Sequence, residues 1–323
     1  MKQFKYFFST LFTLLLLCTI FVVTVLYQAG IPTRSSVGIE QAYAYISDIA
    51  KSVNQPKLLL VAGSNVSFGM SCEMIFDATE VPCINTGVHA GVDIDYIFYR
   101  ARSWLKAGDT VLLPLEYNHY LSDGVPTSAF VDYVIGRDPD YIKSSGLVSG
   151  VRIIGGIEYA RLLEGLKAKF NPSARGYVNI ANYKDRNRFG DIIINTESRM
   201  TDDYREKLEQ LEPFDYVKGS ITPSHGLRTI KNFIDWCHSH QIKVLATYPN
   251  TMWFEAYTQP QAQSFFKSIE DFYKTLDVTV LGKAEDFMYD ISMFYDSRYH
   301  LNDRGVRYRT REVINLLKPY LES

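Results

Sequence analysis

The segment LLLVAGSNVSFG, residues 58–69, begins as an unbroken apolar run, turns at Gly63-Ser64-Asn65 and passes directly into a helical pattern. An unbroken apolar run suits a strand covered on both faces, as strands are inside a parallel α/β sheet. The serine at its end has two readings. Ser and Asn accept backbone N–H bonds at helix starts, so Ser64 reads as a turn residue leading into a cap. It also reads as a nucleophile, because open α/β sheets bind ligands beyond the carboxyl ends of their strands. The rest of the chain has to decide between them.

Working outward, strands and helices alternate. VPCIN (81–85) is a second short strand, and DTVLLPLE (109–116) is a third. VSFGMSCEMIFDAT (66–79) reads as one helix, and GVDIDYIFYRARSWLKAG (91–108) as an amphipathic helix closed by Gly108. From about Leu121 to Pro223 the pattern loosens, and a structureless loop of that length does not suit a compact domain, so the stretch reads as an insertion packed on the core. Its aromatic residues Phe130, Tyr133, Tyr141, Tyr159, Phe170, Tyr177 and Tyr183 suit either packing or stacking on sugar rings. Alternation then resumes through helix 225–241, strand IKVLATYP (242–249), helix 260–276, strand DVTVLG (277–282) and a terminal helix at 303–321. These elements predict an α/β fold with a doubly wound, mainly parallel five-stranded sheet in residues 57–323, and the large insertion at about 121–223 after the third strand.

On the other side of the opening segment, residues 31–56 read as a short helical spacer, and residues 1–30 as a cytoplasmic stub followed by an anchor. No charge occurs from Tyr6 to Tyr27, a stretch that at ~1.5 Å per residue covers a ~30 Å hydrocarbon core. A cleaved signal has a shorter apolar region and a small-x-small site, which YQAGIPT matches poorly. Lys2 and Lys5 orient the N-terminus to the cytoplasm and leave the remainder outside it, so the expected arrangement is single-pass in the plasma membrane, with the lipid bilayer contacting residues 6–27. In that oxidising compartment Cys72 and Cys83 suit either a disulfide or two buried thiols. A net charge of −2, with Lys and Arg scattered, gives no nucleic-acid footprint. No Cys/His spacing suggests a zinc site, and no metal or other cofactor is expected.

A serine becomes a nucleophile only beside a base and a means of holding an oxyanion. Of six histidines, His238 and His240 sit near a polar helix end and His225 near a helix start, whereas His300 lies in the polar loop FYDSRYHLNDRG before the final helix. Asp296 precedes it by four residues, near enough to reach an imidazole nitrogen, although a surface Asp–His pair has the same appearance.

Taken together, these blocks resemble the SGNH (GDSL-like) hydrolase superfamily, as a membrane-anchored bacterial member. AGSNVSFG matches the block that holds the nucleophile, at Ser64. NTGVHAG matches the block that lends a glycine N–H to the oxyanion hole, with Gly91 or alternatively Gly87. LEYNHY matches the block with an oxyanion asparagine, at Asn118, and the last block matches at Asp296 and His300. The resemblance covers about residues 57–120 and 240–320, with the blocks in the family's order. Three positions depart from the pattern: Gly63 stands where an Asp braces the turn, Glu116 where glycine is common, and Asp296 lies four rather than three residues before His300. His89 and His119, inside the blocks, suit substrate contact or structural hydrogen bonds. The resemblance implies a serine esterase or O-acyltransferase working through an acyl-serine on a glycan or acyl-ester substrate, such as a cell-envelope or exported polysaccharide. It also implies a multi-spanning membrane acyltransferase as partner. The three departures leave an alternative, a catalytically degenerate fold that binds glycan or scaffolds a polysaccharide export complex.

Overall fold

The computed structural model of the chain describes residues 2–89, 91–180, 183–215 and 220–321. They divide into two compact units, one of Met1–Gln41 with Val125–Asn179 and one of Ala42–Gly124 with Ile180–Ser323. The chain opens with helix α1 (Lys2–Gln28), in which Gln3–Gln28 is long and apolar enough to cross a membrane. The unit boundary falls within α2 (Val37–Ser52). Strand β1 (Leu58–Leu60) is wholly buried, as its unbroken apolar run requires. The single helix expected over 66–79 is two helices, α3 (Ser64–Ser67) and α4 (Cys72–Thr79). Gly69 explains the break: a Cβ there would lie 2.2 Å from the Asn65 carbonyl oxygen and 2.4 Å from Asn250 Oδ1, so the backbone passes where only glycine fits. The Ser71 hydroxyl accepts the Met74 N–H to start α4.

Strand β2 (Cys83–Asn85) follows, and Cys83 is disulfide-bonded to Cys72. Helix α5 (Ile94–Trp104) buries Ile94, Ile97, Phe98, Ala101 and Trp104 along one face at helical spacing, and Tyr96 outside that face. It stops short of Gly108 because Leu105 turns extended; Gly108, at φ +87°, then makes the turn into β3 (Thr110–Leu113). Helix α6 (Tyr117–Leu121) comes directly after β3.

The stretch after α6 is largely helical: α7 (Ser128–Arg137), α8 (Pro139–Ser144), α9 (Leu147–Gly155) and α10 (Tyr159–Phe170) belong to the same unit as α1. That unit is fastened around buried Asp132, which accepts from Thr33 Oγ1 at 2.7 Å and Ser35 Oγ at 2.6 Å and lies 2.5 Å from Arg161 Nε. Phe130, Tyr133 and Tyr141 pack inside it, whereas Tyr159, Phe170 and Tyr177 are exposed. Residues 180–223 group with the sheet, and there Tyr183 sits edge-on to Tyr45; residues 181–182 and 216–219 of that stretch lie outside those described.

The remaining elements are α11 (Asp202–Glu209), α12 (His225–Ser239), β4 (Lys243–Thr247), β5 (Thr251–Met252), α13 (Pro260–Lys274), β6 (Thr279–Leu281), β7 (Met288–Tyr289), β8 (Phe294–Ser297), β9 (His300–Leu301) and α14 (Asp303–Leu321). The main sheet is five-stranded and parallel in the order β2-β1-β3-β4-β6, while β5 pairs with β7 and β8 with β9. Counting main-sheet strands along the chain, the order is 2-1-3-4-5, which reverses between β1 and β3. Loops leaving the carboxyl ends of those two strands diverge, and the crevice between them is the ligand position of such folds. Ser64 follows β1 and Glu116 follows β3 at that position. At the opposite end of the same two strands, buried Lys57 and Asp109 pair at 2.6 Å.

Candidate active site

Ser64 is the first residue of α3, so its N–H has no intrahelical acceptor, and it has none elsewhere among the described residues. The N–H groups on either side of it are both used. Gly63 N–H donates to Glu116 Oε2 at 3.0 Å and Asn65 N–H to Glu116 Oε1 at 3.1 Å. Glu116 is wholly buried, which disfavours its charge, but nearby His119 and the Asn65 hydrogen bonds outweigh burial and hold its pKa down to about 2. His119 Nε2 is 3.3 Å from Glu116 Oε2. Two of the departures from the expected motif therefore compensate: the brace missing at Gly63 arrives from β3 as Glu116.

Beneath the turn lies Arg309, on the buried face of α14 with Gly305 and Val313. Its guanidinium donates to the Asn65 carbonyl at 3.4 Å, to the Tyr248 carbonyl at 3.2 Å and to Asn250 Oδ1. Burial drags its pKa down to about 10, which leaves it charged at neutral pH. On the β2 side, Asn85 Nδ2 donates to the carbonyls of Val66 and Met70, at 2.8 and 3.1 Å. Gly87 packs so closely on Val66 and Gly63 that a Cβ would lie 2.4 Å from the Val66 side chain. Arg186 donates to the Gly87 carbonyl at 2.9 Å, so the turn is held by Glu116, Arg309 and Asn85 directly and by Arg186 through Gly87.

His300 comes to the turn on the irregular β8–β9 hairpin, whose register shifts between Phe294 and Ser297. That irregularity absorbs the four-residue spacing. His300 Nε2 lies 2.8 Å from Ser64 Oγ, and its Nδ1 lies 2.6 Å from Asp296 Oδ1. A carboxylate accepts only, so Nδ1 carries the proton and Nε2 presents its lone pair to the serine hydroxyl. The imidazole stacks on Phe68 with ring centres 4.1 Å apart. The loop behind it is fixed by Asn195 Nδ2 on the Leu301 carbonyl at 2.6 Å and Asn250 Nδ2 on the Tyr299 carbonyl at 2.7 Å. Ser64, His300 and Asp296 are therefore brought into one hydrogen-bonded series, with the imidazole still reachable from outside.

Asn118 is exposed in α6, two residues past Glu116, and its carboxamide has no partner among the described residues. Gly91 N–H is engaged: it donates to His89 Nδ1 at 2.9 Å. His89 presents its ring at the surface, yet partial desolvation and the nearby His300 push its pKa below that of an ordinary histidine. Gly87 N–H points to Asn85 Oδ1 at 3.3 Å. The cysteine pair is a disulfide, and His225 Nε2 lies within hydrogen-bond distance of Asp95 Oδ2, at 2.7 Å. Sequence reasoning missed Glu116 as a brace, and it missed Arg309, Asn85, Asn195 and Phe68. Arg309 alone left a signal, a charge recurring on the apolar face of a helical pattern. A cleft of about 690 Å³ bounded by Ile49, Phe76, Arg188 and Phe189 contains none of the sequence-predicted site residues.

No protein-family model matches the chain, and no curated protein does. Among solved structures the chain is similar to one from Streptococcus pneumonia described as a candidate platelet activating factor. The two share 12% identity over 88% of this chain and 92% of the other, with a TM-score of 0.40. A likeness at that level establishes no activity.

Proposed function

We propose that the chain is a membrane-anchored serine esterase or O-acyltransferase of the SGNH type, acting on acyl esters of a cell-envelope or exported glycan. The observation that carries this reading is the series Asp296–His300–Ser64 at hydrogen-bond distances. Ser64 Oγ attacks the ester carbonyl carbon as its proton passes to His300 Nε2, and Asp296 stabilises the imidazolium. The tetrahedral oxyanion collapses, the alcohol leaves with that proton, and an acyl-serine remains. Water or an acceptor hydroxyl then repeats the sequence in reverse. Ser64 N–H and the Asn118 carboxamide hold the oxyanion, joined by Gly91 N–H once its bond to His89 is exchanged. The Cys72–Cys83 disulfide and the lysines at the start of α1 favour an extracytoplasmic site, and the SGNH-type reading adds a multi-spanning membrane acyltransferase as its partner.

The test is turnover of 4-nitrophenyl acetate by the full chain in detergent. Ser64→Ala and His300→Ala each lower it by on the order of 10⁴-fold or more. Wild-type turnover in Ser64→Ala overturns the reading. One observation favours a second reading, a non-catalytic glycan-binding protein: the Gly91 N–H is already committed to His89. Turnover that depends on both Ser64 and His300 removes it.

A further inference from the structure

Helices α9 and α10 each carry an apolar stripe on the side away from their packing. In α10 the buried residues Arg161, Gly165 and Ala168 share one face. Tyr159, Leu163, Leu166 and Phe170, spaced i, i+4, i+7 and i+11, fall within one narrow arc opposite. Tyr159 and Phe170 are 74% and 79% exposed, extents at which scattered surface aromatics are ordinary but an aligned row is not. In α9, Gly150 and Ile153 are buried, while Leu147 and Val151 stand 84% and 62% exposed on the outer side. Three residues join the two helices.

What lies beside α10 identifies the occupant. The helix is fastened along its length to the carboxyl end of α1, the point where a membrane-crossing segment leaves the hydrocarbon. Gln28 Nε2 donates to the Leu162 carbonyl at 2.9 Å, and Arg161 donates to Gln28 Oε1 at 3.1 Å and to the Ile31 carbonyl at 2.9 Å. Lys169 Nζ sits 3.3 Å from the centre of the Tyr27 ring. The apolar stripe therefore lies at the level of residues 27–31, where a bilayer passes from acyl chains to headgroups. Arg152, Lys167 and Lys169 provide cations on the same two helices to meet anionic headgroups.

We propose that the outer faces of α9 and α10 rest in the lipid surface around the exit of α1, so that the unit containing them is held down by an interfacial helix pair as well as by an anchor. The proposal rests on α1 crossing a bilayer. It assigns Tyr159 and Phe170 to lipid rather than to sugar.

The test is site-directed spin labelling of the full chain in vesicles of phosphatidylcholine with a minor share of phosphatidylglycerol, reading collision with oxygen against a water-soluble nickel chelate. Native Cys18, exposed midway along α1, reports on the anchor itself. Leu163→Cys and Val151→Cys, in a Cys18→Ser background, report on the two stripes, with Lys274→Cys, at an exposed position of α13, as the aqueous control. Cys237 stays silent, because its side chain is fully buried. Labels at 163 and 151 are expected to collide several-fold less with nickel than the control and more with oxygen. Nickel collision equal to the control overturns the proposal while an oxygen-rich Cys18 leaves the anchor standing. Shielding from both reagents overturns it as well, since a protein then covers the stripes. A water-exposed Cys18 removes the anchor reading and this proposal with it.

Discussion

Ser64, His300 and Asp296 are ordinary side chains given a direction by their neighbours. With Nδ1–H donated to Asp296, the lone pair of Nε2 is left facing Ser64 Oγ, and the serine proton has one place to go. Asp296→Asn turns that acceptor into a group able to donate and favours the wrong tautomer. Its kcat for ester hydrolysis is expected to fall ~10⁴-fold while KM changes little, measured by steady-state kinetics. Glu116 acts on the turn rather than on substrate. Glu116→Gln keeps the shape but puts an amide NH₂ against one of two backbone N–H groups, at a cost of about 1–3 kcal/mol in denaturant unfolding. The folded carboxyl titrates at about 2 against 4.5 for a free one, so its stabilisation is fully present above the higher value and is lost as pH falls toward the lower. The stability gap between wild type and Glu116→Gln should therefore narrow across that acid window. The three residues of the series stood out in the sequence through the family resemblance of their blocks taken in order, and they lie at hydrogen-bond distances from one another. Glu116 did not stand out, because its role depends on β3 lying beside β1, a pairing that no local pattern encodes.

The elements hold these residues by closing backbone groups around one turn. Helix α3 begins at the serine because Gly63 and Asn65 are pinned by Glu116 just beyond β3, and it ends early because Gly69 lets Arg309 and Asn250 approach. Gly69→Ala is expected to destabilise the fold and reduce esterase activity together, read by thermal melting and kinetics on the same sample. The Cys72–Cys83 bridge ties the start of α4 to β2 across 11 residues, a closure worth about 3 kcal/mol in the chain-entropy account. Cys72→Ala/Cys83→Ala, compared with wild type with and without reductant, should lose about that much in denaturant midpoint experiments. The five main-sheet strands and the helices between them were readable from apolar runs and 3.6-residue spacing. The stretch beyond α6 was not, since α7 to α10 are short, are interrupted by Gly146 and Gly156, and bury small or charged residues such as Gly165 and Arg161 that break the apolar rhythm.

At the scale of the whole molecule, two features far apart in sequence give the reading its meaning: an apolar helix long enough to cross a bilayer, and a parallel sheet whose order reverses where Ser64 stands. A C-terminal reporter that is active only outside the cytoplasm is expected to be active when fused after Ser323, and activity of a cytoplasm-only reporter at the same position would reverse the orientation. The central claim concerns chemistry, and it is tested most directly by covalent capture. Full-length protein in detergent is treated with a fluorophosphonate and mapped by peptide mass spectrometry, beside folded Ser64→Ala and His300→Ala. The account predicts a phosphonyl adduct on Ser64 that both substitutions abolish. A folded wild-type protein that stays unmodified at Ser64 under saturating reagent contradicts it.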